Sequence, residues 1–316
     1  MFSKLIRKLT GATGPSPSNP QEIEYLNYLS SSYPNNHNYK VKKNKLIPSR
    51  ELAKRSQRIQ ALLPDPLTSL VDIGCSKGYF VFAGSEQPTC KRCLGVDVYQ
   101  YDIDVCRWLK DYLHHDKVHF EKLALHELAE RIDEFGGPFQ TALVINQYQY
   151  LYFGSARCPD RYLDHEEIFK HLSKICNRRL IFNNRVNLAD CQNIESISLA
   201  SEKSQDYSEE KILAAASKYF NVIQQGSLGQ YPLWILNAKA ETRSDSSSTS
   251  STELRAIFEK WSNDLEFREQ FKKNPEQALA SAGFKPNADT LEQIKSMLKL
   301  QSGKSDNEEL DKRINR

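Results

Sequence analysis

Four residues at alternate positions, Asp72, Gly74, Ser76 and Gly78, break the apolar run SLVDIGCSKGYFVF at residues 69–82. An acid at a strand end followed by a turn of small residues has two chemical consequences. A ligand can lie directly against backbone that no side chain shields, and the carboxylate faces a cationic group. The spacing excludes two phosphate-binding turns. A G-x-G-x-x-G dinucleotide turn needs glycines at 74, 76 and 79, but the chain has Gly74, Ser76 and Tyr79; the G-x-x-x-x-G-K-[ST] pattern is absent as well. A second acid, Asp97 in LGVDV, closes the next apolar run with Val98 beside it. There a carboxylate can accept hydrogen bonds from both hydroxyls of a ribose.

These residues need a scaffold that brings two strand ends together, and the pattern between Leu67 and Lys239 supplies one. SLVDIG, KRCLGVDV, VHFEKLA, QTALVIN and RRLIFNN read as strands. YFVFAGS, YDIDVCRWLKDYL, HELAERIDEFG (ending at Gly136), EEIFKHLSKIC and EEKILAAASKYF read as helices. Strict alternation requires crossovers, hence a parallel sheet covered on both faces. NVIQQGSL and YPLWILNAK flank Gly229-Gln230 and read as an antiparallel pair closing that sheet. Open parallel sheets take ligands at the carboxyl ends of their strands.

A nucleoside that carries an amino group and lacks a pyrophosphate matches S-adenosylmethionine. With VDIGCSKGYF, the acid of LGVDV and the late hairpin in this order, residues 67–240 resemble the class I, Rossmann-like S-adenosylmethionine-dependent methyltransferases. The resemblance implies an α/β fold with a seven-stranded sheet. It implies that Gly74, Ser76 and Gly78 line the methionine and ribose, that Asp72 orients the amino group, often through water, and that Asp97 and Val98 hold the ribose. The family commonly places an acid near the adenine amino group after the third strand. Leu123 and Ala124 stand there in this chain, leaving the adenine to backbone groups and to packing on Leu123. Asn146 and Tyr148, Tyr150 and Tyr152 of INQYQYLYFG are expected beside the methyl group, where an aromatic ring can steady a sulfonium. His165, in YLDHEEIFKHL, and His126 are the expected bases, with Tyr148 the second catalytic candidate. The [ND]-P-P-[YF] signature of amino-group methylation is absent. Locally, IGCSKGYFVF is also similar to enzymes that carboxymethylate wobble uridine in tRNA and to phosphate-capping RNA methyltransferases.

The remainder of the chain divides by composition. Residues 1–20 form a basic segment and a Gly/Pro/Ser spacer expected to be disordered, and 21–66 a helical cap interrupted at Pro34 and Pro48. Residues 67–240 form the donor-binding domain, 241–252 a Ser-rich linker, 253–300 a small helical module and 301–316 a polar tail. Within the cap, Lys40, Lys42, Lys43, Lys45, Arg50, Lys54, Arg55 and Arg58 face a single acid, Glu51, so the stretch 40–58 can hold RNA or another anion. The module, with DLEFREQFKKNPEQALASAGF, is similar to leader peptides derived from nitrile hydratase and nitrogen-fixation proteins. That similarity implies a peptide-tailoring context and a protein partner.

The net charge of +3 does not by itself argue for nucleic acid. Seven scattered cysteines read as reduced thiols in a cytoplasmic protein, and the CxxC at Cys90 and Cys93 lacks a second close pair, so no metal is expected. No apolar stretch reaches roughly 18 residues, the length that spans a membrane. The expected activity is methyl transfer to a small-molecule or peptide acceptor. The alternatives are RNA methylation and an inactive S-adenosylmethionine-binding scaffold that presents its C-terminal module.

Overall fold

Asn19 caps α1 (Pro20–Ser31): its Oδ1 accepts the Glu22 amide at 2.9 Å, and proline suits the first turn because its missing N–H would bond to nothing there. The computed structural model describes residues 19–158, 160–191, 204–239 and 264–284, together with Ile257 and Lys260. The chain forms two compact units, 1–240 and 241–316.

The cap is not helical throughout. Residues 39–48 form a hairpin, β1 (Tyr39–Lys42) and β2 (Lys45–Pro48), turning through Lys43 and Asn44 at φ 50° and 58°. Tyr39 and Val41 alternate with Lys40 and Lys42, a period of two that suits a strand, and two left-handed residues match the twist of a two-residue hairpin. Ser49 then caps α2 (Arg50–Gln60), which buries Leu52, Ser56 and Ile59.

The main sheet follows. Its elements are β3 (Ser69–Ile73), α3 (Tyr79–Ser85), β4 (Arg92–Asp97), α4 (Gln100–Leu113), β5 (Val118–Lys122), α5 (Leu125–Glu130), β6 (Phe139–Ile145), α6 (Tyr148–Phe153), α7 (His165–Ile175), β7 (Cys176–Asn183), α8 (Glu209–Tyr219), β8 (Phe220–Leu228) and β9 (Tyr231–Ala238). The seven strands lie in the order β5-β4-β3-β6-β7-β9-β8. β3 to β7 run parallel, and β9 is antiparallel to both its neighbours. This is the seven-stranded, Rossmann-like α/β sheet that the sequence implies.

All five residues of β3 are buried, as befits a central strand covered on both faces. Successive residues serve opposite cores. Val71 packs with Val144, Phe169, Phe182 and Trp234 on one face, while Leu70 packs with Phe82, Ile103 and Leu143 on the other. β4 lies on one side of β3 and β6 on the other, so the strand order reverses at β3 and opens a crevice at its carboxyl end.

In the second unit, Asn274 joins α9 (Leu265–Lys273) to α10 (Pro275–Ser281) and caps the latter through the Gln277 amide at 3.1 Å. Ile257, Phe267, Phe271 and Leu279 form its core. Residues 1–18, the linker 241–252, most of 253–263, residues 285–300 of the expected helical module and the tail 301–316 lie outside the described residues.

Phe182 and Trp234 stack across β7 and β9 with ring centroids 4.7 Å apart, at the centre of the larger core. Trp234→Ala is expected to cost about 3–5 kcal/mol. The check is a lower urea midpoint with an unchanged slope.

Candidate functional site

The crevice at β3 holds a cavity of about 360 Å³. Its floor is the loop from Gly74 to Gly78, bound to the end of β4 by the Gly74 and Cys75 amides, which donate to the Val96 carbonyl at 2.8 and 3.0 Å. Gly74 has φ 72°, where an L side chain is strained, and a Cβ there would lie 2.4 Å from the Gln147 side chain and displace it. Ser76 is also left-handed, at φ 47°, and its amide donates to Asp97 Oδ2 at 2.9 Å. Gly74, Ser76, Asp97, Val98 and Asn146 all line the cavity. Gly78 does not. A Cβ on it would meet Cys106 Sγ and the Phe120 ring at 2.9 Å, so it serves the packing of loop against sheet.

Asp97 ends β4 and accepts the Tyr99 amide on its other oxygen at 3.0 Å. Burial raises its carboxyl above the usual range, against the backbone donors that lower it. A carboxylate offers about four acceptor positions, so lone pairs remain for a ligand.

Asp72 is buried and lies beneath this floor, beside a void of about 20 Å³ also lined by Arg55 and His37. Burial pushes its carboxyl up to about 8, against the opposing pull of Arg55. Burial also lowers His37 to about 3, with Arg55 and Lys77 adding to the effect. Arg55 Nη1 and His37 Nε2 are buried without a hydrogen-bond partner among the described residues. A void of this size admits one water molecule, and three polar groups surround it. In the sequence Arg55 stood out only as one charge in a basic run, and His37 gave no signal.

On the other side a narrower pocket adjoins the cavity, lined by Val98, Leu123 and Ala124 and also by His126, Tyr162 and Asp160. Asp160 comes from the segment between α6 and α7. An acid thus lines this pocket from a segment that spacing along β5 could not reveal.

Tyr150 lines both spaces. Tyr148 and Tyr152 are in the core. Tyr148 Oη lies 2.7 Å from His165 Nδ1, and His165 Nε2 lies 3.1 Å from the Asp206 carbonyl oxygen. Both expected catalytic residues are thus a polar pair inside the aromatic core and line neither the cavity nor the narrower pocket. The cause is local. Asp164 caps α7 and sets His165 at its first position, where the ring turns inward to stack on Tyr152. Burial lowers the His165 imidazole below its ordinary range.

Two supports escaped sequence reasoning. Asn184, fully buried, accepts the Gln147 and Tyr148 amides at 2.6 and 2.8 Å and donates to the Val144 carbonyl at 2.7 Å, which fixes Gln147 against Gly74. Lys77, 1 % exposed, turns away from the cavity and donates to the Ser32 carbonyl at 2.9 Å and to Asn38 Oδ1. The Tyr39 hydroxyl donates to the Lys77 carbonyl. The cap is thereby tied to the loop, and its Tyr33, Pro34 and His37 form part of the cavity wall, which Arg185 also lines. Arg157 lies over the Tyr99 ring at 3.8 Å and faces Asp102 at 3.8 Å.

Among the described residues, no group of three metal-ligating side chains comes together, and no helix is long and apolar enough to cross a membrane. No family model and no curated protein matches the chain. Solved structures similar to it include an O-methyltransferase family protein from Burkholderia thailandensis, at 15% identity over 60% of this chain and 56% of that one, TM-score 0.42. The bifunctional kinase-methyltransferase WbdD is similar at 14% identity over 58% of this chain and 38% of its own, TM-score 0.41. The PH0226 protein from Pyrococcus horikoshii OT3 is similar at 14% identity over 70% of this chain and 100% of its own, TM-score 0.45. The chain thus spans little more than half of the first and less of the second. At these identities and scores, the likeness identifies neither an activity nor an acceptor.

The Asp72 carboxyl sets a pH dependence. Its proton leaves the unfolded chain near 3.8 and the folded chain near 8. Between these values the folded state binds more protons, so stability falls as pH rises. Asp72→Asn is expected to flatten that fall, measured as urea midpoints at intervals from pH 4 to 8.

Proposed function

We propose that the chain binds S-adenosylmethionine in this cavity and transfers its methyl group to a small-molecule or peptide acceptor. The observation that carries the reading is the bare backbone of Gly74 and Ser76 facing a cavity beside Asp97, a carboxylate with lone pairs to spare. A cavity of about 360 Å³ lies in the range of small-ligand sites. When bound, S-adenosylmethionine supplies a methyl group activated by the positive sulfur that carries it. Asp97 accepts the ribose hydroxyls, while Val98, Leu123 and Ala124 pack on the adenine and Asp160 accepts from its amino group. Asp72 reaches the methionine amino group through the water-sized void, where Arg55 balances its charge. Tyr150 is the ring available to a sulfonium.

The chain's other task is to align donor and acceptor and to exclude water. Where an acceptor needs a proton removed, His37 is in the wall but is a weak base, lowered to about 3. The peptide branch of this reading and a protein partner rest on reading residues 253–300 as leader-peptide-like, a reading taken from the sequence motif alone. The seven free thiols support a cytoplasmic setting. RNA is the second acceptor reading, favoured by the exposed basic hairpin of the cap.

Isothermal titration of S-adenosylmethionine and S-adenosylhomocysteine into wild type and Asp97→Ala tests the proposal. Micromolar binding is expected in wild type. Hydrogen bonds to a charged group contribute about 1.5–3 kcal/mol each, so a loss of at least about tenfold is expected in the variant. Absence of binding in wild type overturns the reading and leaves the sheet as a scaffold.

A further inference from the structure

We propose that the β1–β2 hairpin, with Tyr33 near its root, is a docking arm that leads single-stranded nucleic acid to the mouth of the cavity. The acceptor role of that strand rests on the donor reading above; its binding to the arm does not.

The arm is charged without internal compensation. Lys40, Lys42, Lys43 and Lys45 on the hairpin and Arg50, Lys54 and Arg58 on α2 are all exposed, against Glu51 alone. None of these seven cations makes an ion pair among the described residues. Lys42 stands directly across from Lys45, a like-charge pair that destabilises a two-stranded ribbon. The hairpin thus carries a repulsion that a polyanion would relieve. A solvated face needs charge, but it does not need charges of one sign opposed across a ribbon.

The arm is also fixed in place. Its root is closed by the Ser49 amide donating to the Asn38 carbonyl at 2.9 Å, and it is held on the cofactor loop through Tyr39, Asn38 and the buried Lys77. A strand held by the lysines is therefore held at a set distance from Gly74 and Ser76. Tyr33 is 78% exposed and lines the cavity mouth. Large apolar rings left bare beside a basic track are what stacked bases use. An acidic peptide would satisfy the charges, but it has no use for that ring. The cavity, at about 360 Å³, takes a single nucleobase and not a duplex, which selects a single strand.

The test is fluorescence anisotropy with a labelled single-stranded RNA of about 20 nucleotides, titrated at several salt concentrations between about 50 and 200 mM. The proteins are the full chain, Lys42→Ala/Lys43→Ala/Lys45→Ala and Tyr33→Ala. The triple variant is expected to bind at least about tenfold more weakly, with a salt slope shallower by about 2 for three lost phosphate contacts. Tyr33→Ala is expected to weaken binding while keeping the slope, because it removes a stacking surface and no charge. Equal affinity of wild type and triple variant overturns the arm. Displacement of the RNA by polyglutamate at equal charge concentration overturns the nucleic-acid assignment, and displacement by double-stranded RNA overturns the single-strand assignment. S-adenosylmethionine titrated into the same proteins separates the two proposals. Donor binding without RNA binding removes the arm alone, whereas RNA binding without donor binding removes the donor reading alone. Thermal melts of each variant verify its folding.

Discussion

The hydrogen bond from the Ser76 amide to Asp97 is the contact on which the site depends. A loop that offers bare backbone to a ligand has no side chains with which to fix itself. Here three residues, Gly74, Ser76 and Gly78, sit in the left-handed region, which a non-glycine residue such as Ser76 occupies only at a cost. Asp97 offsets that cost from the neighbouring strand end, and the parallel register that sets Ile73 beside Val96 brings the two ends together. The same carboxylate then faces the cavity. Any ligand that takes its free lone pairs is bound to a group already immobilised, so little ordering remains to oppose binding.

A second constraint passes through Lys77. A buried ammonium must be surrounded by oxygens, and the loop itself supplies none to it. The Ser32 carbonyl and Asn38 Oδ1 do, and both belong to the cap. Burial lowers Lys77 to about 8, against the opposing pull of Asp102. Removing the cap would strand a charge in an apolar setting. The cap is therefore a structural part of the floor, and its wall residues Tyr33 and His37 are positioned by the residues that hold the loop.

Much of this was legible in the sequence, for a physical reason. Buried parallel strands read as continuous apolar runs, and the backbone demands of the loop restrict positions 74 to 78 to small or flexible types apart from Lys77, which is buried against the cap. Asp72, Gly74, Ser76 and Asp97 could be named from spacing because covalent geometry puts them at strand ends. Tyr148 and His165 carry suitable chemistry at plausible chain positions, but side-chain direction depends on packing, and both turn into the core. Asn184, Arg55 and Asp160 act across long sequence separations and leave no local period. The hairpin at 39–48 had the alternation of a strand, but two flanking prolines and a helical neighbourhood masked it.

The charge distribution gives the site its direction. Asp72, Asp97 and Asp102 cluster around the floor, and burial raises all three carboxyls, Asp102 to about 6. Asp97 adds to the rise of both Asp72 and Asp102, so the cluster resists full ionisation until a positive charge arrives. Arg55 and Arg157 compensate it from two sides, one beneath the loop and one across the mouth. A ligand bearing its own positive charge would complete that compensation from the open side, and each acid it ionised would add to its hold. An anion on the floor would meet the opposite response. The floor thus favours a cationic ligand, while the outer face of the cap, with its lysines, favours an anionic one. Lys77, bonded to Ser32 and Asn38 of the cap, fixes the relation between the two preferences.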